Sequence, residues 1–361
     1  MSEEIREYIY SKFGEMYFAT KEEDGIPAMA QNRRKVLTLY VMRETIAPLI
    51  DRSDDPESSV SFVMQVDGED EKEVIEVPAR KFKSKEKLMG LKLCRAFKVI
   101  DPNYEYNSVR SIAYLNNPNS VIFGDSVVEG GDAGQAMLPA RVLYSSSYSI
   151  RSRAEITRQL THNSLSEAGT MWDRDKGQNR TSLFNTEYII PGVFFPSFIT
   201  MLNPTPESLI HMLLCLKERS YGAATSITGP NVRNNVFAIV AGEVEIPVTS
   251  YTISKNANLH VKWEQNSDKY KISINNFVLE SIRNEHPDKM LTGAELEEFL
   301  KKIDTLTVQQ LQEVYEKLKS DSQELIRYAK IMPKDRKNKS TPKKTASLDS
   351  QANLEDSNES I

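Results

Sequence analysis

Residues 188–203 read YIIPGVFFPSFITMLN, residues 204–220 PTPESLIHMLLCLKERS, residues 221–231 YGAATSITGPN and residues 232–248 VRNNVFAIVAGEVEIPV. The first run is rich in Ile, Val and Phe and is punctuated by Pro191, Pro196 and Pro204. That is strand composition, with the prolines marking edges or bulges. Thr205 then offers a hydroxyl cap, and Pro206 takes the first helical position, where no backbone donor is needed. Ile210, Leu213 and Leu214 give the helix an apolar face, with Lys217 at the same spacing. The helix stops before Gly222, a loop runs between Gly222 and Gly229, and Val232–Val240 predicts a second strand. Strand, helix, glycine-bearing loop and strand make half of a ferredoxin-like α+β unit.

The loop from Tyr221 to Asn231 has two readings. It is a helix stop followed by a turn, or it is a loop that meets a ligand. Thr225, Ser226 and Thr228 supply hydroxyls, the flanking glycines let backbone come close to a phosphate or ribose, and Arg233 lies just beyond. The GK[ST] ending of a nucleotide P-loop is missing, so a nucleoside-triphosphatase reading is rejected.

The 361 residues allow one large domain or two modest ones. No apolar run is long enough for a membrane span, and the start, MSEEIREYIY, is charged where a secretory signal would be apolar. Cys94 and Cys215 are too few for a disulfide framework or a structural zinc site, and His162, His211, His260 and His286 show no ligand spacing. No cofactor, no metal and a cytoplasmic location are therefore expected. The net charge of −5 conceals a local excess. Arg80, Lys81, Lys83, Lys85, Lys87, Lys92, Arg95 and Lys98 stand against Glu86 alone, and patches rather than totals decide polyanion binding.

Residues 1–32 read as a short helix and a docking segment. RRKVLTLYVMRE, from Arg33, predicts the first strand, with Arg43 near its exit. Ser61–Val77 predicts a hairpin with Asp67-Gly68 as its turn. A helix capped by Ser84 follows, its basic side either a solvated face or a surface that tracks phosphates. Phe123-Gly124 is read as closing a strand, Gly130, Gly131 and Gly134 as marking a loop, and Arg141–Ile150 as a strand. Residues 252–278 are read as a strand pair. Helices follow from Thr292, and residues 333–361, poor in apolar side chains, as a disordered tail.

Residues 151–186 are the most irregular stretch. Arg151, Arg153, Arg158, Arg174, Lys176 and Arg180, with Arg141 before them, face Glu155, Glu167, Asp173 and Asp175, and Met171 and Trp172 sit amid polar neighbours. The apolar pair is either a small satellite core or a wedge offered to single-stranded nucleic acid, where one stacked base contributes roughly 1–3 kcal/mol. No HExxH, GxSxG or CxxC occurs. Asp125, Asp132 and Asp173 keep a metal-dependent ribonuclease open as an alternative, and the negative net charge keeps open a protein scaffold that binds no nucleic acid.

FGDS at 123–126, GGDAGQAMLPARVLYSSSYSI at 130–150, Gly169-Thr170-Met171, and the run from VFFPS at 193 to FAIV at 240 together resemble the backbone subunit of the type I-D CRISPR surveillance complex. That family lies in the superfamily of RNA-binding CRISPR proteins with a modified RNA-recognition-motif fold. The resemblance runs from about residue 33 to 248. It implies an RRM-like palm over 33–250, a finger insertion at about 52–120 and a thumb hairpin at about 151–186; the strands and helices read over 251–332 lie outside the resemblance. It further implies a non-catalytic subunit that repeats along guide RNA (crRNA). Its partners would be copies of itself, other CRISPR effector subunits, and target DNA or RNA paired to the guide, with no membrane. Met171 would lie at or near the thumb tip. Arg43, Arg141, Tyr221, Gly222, Thr225 and Arg233 would lie on the palm, Lys81 and Lys83 in the finger region, and Arg151, Arg153, Arg158 and Arg174 on the thumb. Relatives can carry a cysteine cluster before FGD; here that region holds only Cys94, so a metal-bound finger is not implied.

Overall fold

The structure, a computed structural model, describes residues 2–20, 26–30, 35–52, 59, 61–64, 71–109, 111–127, 136–163, 170, 172–173, 175–179, 183–260 and 267–329. The Asp67-Gly68 turn, the glycines at 130, 131 and 134, Asp132, Met171, Arg174, Arg180 and the tail at 333–361 lie outside the described residues.

The chain opens with helix α1 (Ser2–Phe13), then β1 (Val36–Thr45), β2 (Ser61–Met64) and β3 (Lys72–Val77). Helices α2 (Ala79–Ala96) and α3 (Pro118–Phe123) lead to β4 (Asp125–Val127), β5 (Ala136–Leu138), β6 (Val142–Tyr144) and β7 (Ser147–Ser152). The short helix α4 (Arg153–Ile156) starts a hairpin of β8 (Thr157–Asn163) and β11 (Leu183–Ile189), with the small ladder β9 (Trp172–Asp173) and β10 (Gln178–Asn179) between them. Then come β12 (Phe194–Leu202), α5 (Pro206–Cys215), α6 (Thr225–Thr228) and β13 (Val232–Gly242). The chain closes with α7 (Ser250–His260), α8 (Ser267–Asn284), β14 (Lys289–Thr292), α9 (Gly293–Asp304) and α10 (Val308–Tyr328).

The main sheet runs β14-β13-β1-β12-β6, antiparallel throughout. Its central strands are apolar at nearly every position because both faces are covered. Leu37, Leu39, Val41, Ile199, Met201, Ile239 and Ala241 face one core, which also takes Ile5 and Ile9 of α1, Leu91 and Cys94 of α2, Leu209 and Met212 of α5, and Tyr315 and Leu318 of α10. Tyr40, Met42, Phe198, Phe237 and Val240 face the other way, onto Ile253 of α7 and Tyr270, Ile274, Val278 and Ile282 of α8. A third cluster joins Leu49, Ile75, Val77, Phe82, Ile156, Ile189, Val193, Phe195, Tyr221 and Val232. The expected α+β class, with antiparallel sheets, holds.

Three sequence expectations need correction. The strand pair at 252–278 is α7 and α8. Tyr270, Ile274, Val278 and Ile282 recur every four residues and are buried, whereas Ile272, which suggested alternation, is 58% exposed. The segment before Gly124 is a helix: Asn117 caps it by accepting from the Ser120 amide, Pro118 sits at its start, and Gly124 ends it at φ +79°. The basic helix begins at Ala79, directly after Pro78, and Ser84 lies inside it, its hydroxyl donating to the Lys81 carbonyl. Ser61–Val77 forms the expected hairpin, β2 pairing with β3, and β3 pairs onward with β7.

Candidate nucleic-acid interface

One end of the main sheet collects the exit of β1 and the starts of β12 and β13. The segment after β1 organises what projects from it. Leu49 exchanges two backbone hydrogen bonds with Ile189 at the root of the β8–β11 hairpin, the segment expected as a thumb, at 3.0 and 2.8 Å. The Ile50 carbonyl accepts from the Ala223 amide at 2.8 Å. Asp51 lies 3.6 Å from the Lys81 ammonium on the first turn of α2. Arg52 donates to the Thr186 hydroxyl on β11 at 2.8 Å. Four consecutive residues thus tie the thumb, the glycine-bearing loop and the basic helix to one point. Gly222 explains its own identity here: its φ is +71°, and a Cβ would lie 2.3 Å from the Ile50 carbonyl oxygen.

The loop itself is held from below. Asn231, fully buried, accepts from the Tyr221 amide and donates to the Tyr221 carbonyl, both at 2.9 Å, closing the loop as a strand partner would. Within it Ala224 is left-handed (φ 52°) and Thr225–Thr228 form a single helical turn. Ser226 is exposed and Ile227 is 65% exposed at its crest.

Arg43 departs furthest from expectation. Read as a palm residue facing RNA, its side chain is wholly enclosed. Nη1 donates to Glu86 Oε1 at 2.5 Å and to Asn234 Oδ1 at 2.8 Å, Nε donates to the Ser197 hydroxyl at 2.9 Å, and the guanidinium lies 4.0 Å above the Phe82 ring. Burial is the largest single influence and works against its charge, but the Glu86 carboxylate together with the Tyr221 and Tyr144 phenols outweighs it and raises the guanidinium pKa. Tyr221, also expected at the surface, is 1% exposed and donates to Glu86 at 2.9 Å, while Tyr144 donates to the other Glu86 oxygen at 2.5 Å. Burial first, and the adjacent carboxylate second, push both phenols well above their ordinary range. The pairing was invisible in sequence because Glu86 is 43 positions from Arg43.

The other expected residues divide. Arg158 and Arg233 are exposed; Arg233 lies 3.6 Å from Glu44, and Arg158 donates to the Glu155 and Thr157 carbonyls. Thr225 is half-buried in the loop. Arg151 lies 3.7 Å from Glu155, and Arg153 bridges Glu73 and Glu187 at 2.9 Å each, bracing the thumb root against β3. Lys83 and Arg141 sit away from this end, beside β6: Lys83 approaches the Val142 carbonyl at 3.4 Å, and Arg141 donates to the Met29 carbonyl at 2.5 Å. Burial lowers both of their pKa values, with Lys87 adding to the effect at Lys83. The helix carrying Lys81 and Lys83, assigned by resemblance to a finger, packs its Leu91 and Cys94 into the core beneath the main sheet. Met171 and Arg174 lie outside the described residues, but Trp172 is described and is 48% exposed. Its large apolar surface in a polar context was the signal that marks it.

Asp125, weighed as a metal ligand, accepts from the Tyr104 hydroxyl at 2.5 Å and the Ser120 hydroxyl at 2.8 Å and lies 3.4 Å from the Lys87 ammonium. Its carboxylate is committed to a structural network. Asp132 and the Asp173 side chain lie outside the described residues. Among the described residues no group of three or more His, Cys, Asp or Glu side chains could hold a metal, and no helix is long and apolar enough to cross a membrane.

No curated protein sequence gives a significant match. The crystal structure of Thermofilum pendens Csc2 is similar in fold: TM-score 0.57 and 15% identity, covering 88% of this chain and 93% of that one. A chain of a CRISPR RNA-guided surveillance complex aligns with TM-score 0.46 and 9% identity over 79% of this chain and 98% of its own length, too distant to carry an argument. The family profile described as Csc2 Crispr matches residues 23–330. With most of its length accounted for by that profile, the chain belongs to the Csc2 CRISPR family.

Proposed function

We propose that this chain is a non-catalytic guide-RNA-binding backbone subunit of a type I-D CRISPR effector complex. It oligomerises along the guide in the cytoplasm, beside other effector subunits, and displays the guide for pairing with target DNA or RNA. The observation that carries this reading is the meeting of thumb root, glycine-bearing loop and basic helix on residues 49–52 at one end of the sheet. Exposed Arg158 and Arg233 hold phosphates there without reading bases, and Trp172, with Met171 beside it in sequence, offers a stacking surface. Sequence is then read by base pairing with the guide. The succession β1, α2, β6, β12, α5, β13 with spatial order β13-β1-β12-β6 supports a ferredoxin-like palm, into which residues 151–186 are inserted as the thumb. Two free, buried cysteines suit a reducing compartment. Metal-assisted cleavage has less support, because the Asp125 carboxylate is already engaged.

The test is RNA affinity as a function of salt. Purified protein should carry RNA of uniform length, raising its 260-to-280 nm absorbance ratio. Binding of single-stranded RNA should weaken steeply with salt. Arg158→Gln and Arg233→Gln should each reduce the log–log slope by about 0.7. A flat response to salt would sink the reading.

A further inference from the structure

We propose that the enclosed Arg43–Glu86 pair is the positioning device of this interface: it fixes the loop at 222–230 and the basic first turns of α2 relative to one another without touching RNA. The inference rests on the guide-binding reading above. The Glu86 carboxylate, on α2, takes hydrogen bonds from Arg43 of β1, Tyr144 of β6 and Tyr221 at the start of the loop. Arg43 reaches in turn to Ser197 of β12 and Asn234 of β13. The Asn234 amide donates to the Tyr221 hydroxyl at 2.6 Å and to the Leu216 carbonyl, at the end of α5, at 2.9 Å. β1, α2, β6, β12, β13 and the start of the loop therefore meet at the same pair.

Strength of folding alone does not account for this arrangement. A buried ion pair is commonly no more stabilising than apolar side chains of like volume, because both charges lose their hydration. What directional bonds add is orientation. The guanidinium plane can satisfy Ser197, Glu86 and Asn234 together only in one pose, and the Tyr221 hydroxyl is placed by Glu86 and Asn234 from two sides. Asn231 then transfers that placement to both ends of the loop. Lys81 is carried on the same helix as Glu86, so loop and cation share one reference.

Tyr221→Phe and Tyr144→Phe give a matched pair. Each removes one hydroxyl from Glu86 and keeps the ring, but only Tyr221 adjoins the loop. Both are compared with the unaltered full-length protein for binding of a labelled single-stranded RNA across a salt series and for amide hydrogen exchange over 222–230. Tyr221→Phe, which loses the bonds to both Glu86 and Asn234, should weaken RNA binding by about tenfold, with the salt slope unchanged and exchange over 222–230 faster. Tyr144→Phe should stay within about twofold in both, at a similar cost in stability. Equal losses in the two variants, or no loss in Tyr221→Phe, would overturn the proposal. So would a reduced salt slope in Tyr221→Phe, which would mark a group in contact with the polymer. If Tyr221→Phe does not fold, Arg43→Lys, which keeps the charge but not the planar set of donors, takes its place with the same expectations. If the unaltered protein shows no salt-dependent RNA binding, the guide-binding reading fails, and the exchange experiment still decides the positioning: faster exchange over 222–230 supports it and unchanged exchange overturns it.

Discussion

The glycine-bearing loop and the thumb hairpin rise from the same end of the sheet and are held in different ways. The loop stands on a buried polar network and a buried asparagine, with Tyr221 and Asn231 enclosed. The hairpin is a two-stranded ribbon of seven residue pairs, and Gln159, Leu160 and Thr161 along it are exposed. It is anchored at its root by Leu49 and by the partly exposed Arg153 pairs. An isolated two-stranded hairpin is marginally stable at best, so the ribbon owes its place to that root. The loop is fixed by buried bonds, whereas the hairpin is fixed only at its root.

The largest effect should separate the two supports. Arg43→Met leaves Glu86 buried without its cation and should lower the unfolding free energy by about 3–5 kcal/mol in urea denaturation. Arg153→Met, at a partly exposed pair, should cost about 1 kcal/mol or less. Equal costs would erase the distinction.

Trp172→Ala should do the reverse. It should leave the urea midpoint unchanged and weaken RNA binding by roughly 1–3 kcal/mol, because an exposed ring contributes to a partner and not to the core. A fall in stability with no loss of binding would make the tip a satellite core.

The smallest effect concerns acid. Asp51 is 2% exposed, and burial raises its carboxyl to about 6, a shift that Lys81 tempers. Its folded pKa exceeds the unfolded one, near 4, so the folded state is penalised once pH exceeds both values. The penalty fades as pH falls through 6 and is gone below 4. Asp51→Asn should therefore raise stability at pH 7 by roughly 1–2 kcal/mol, and the gain should vanish at pH 4. A gain independent of pH would place the cause elsewhere.

Much of the scaffold was legible where local signals agree. The apolar run of β12, the Thr205 cap with Pro206 at N1, and the stop before Gly222 all recur in the structure. The errors fell where two periods coexist. In α8 the run Tyr270, Ile272, Ile274 alternates convincingly, and only the extension to Val278 and Ile282 reveals a four-residue stripe. At 117–124 the cap, the proline and the glycine all announce a helix, although Val121, Ile122 and Phe123 are also residues that favour strands. At the interface, charge was readable and burial was not. The apolar run before Arg43 marks a strand but does not name a counter-ion; its partners come from α2, β12 and β13.

The roofing of the main sheet by α7 and α8 constrains any polymer that meets this molecule. Tyr40, Phe198 and Phe237, the aromatic rings of the roofed side, are at most 7% exposed. An opening of about 260 Å³ remains beside Tyr40 and Leu143. Under the guide-binding proposal, a strand of nucleotides would find this side of the pleated floor already covered by helices. Its step along the protein would then follow the gap between one rim feature and the next, and not the strand spacing of about 4.8 Å.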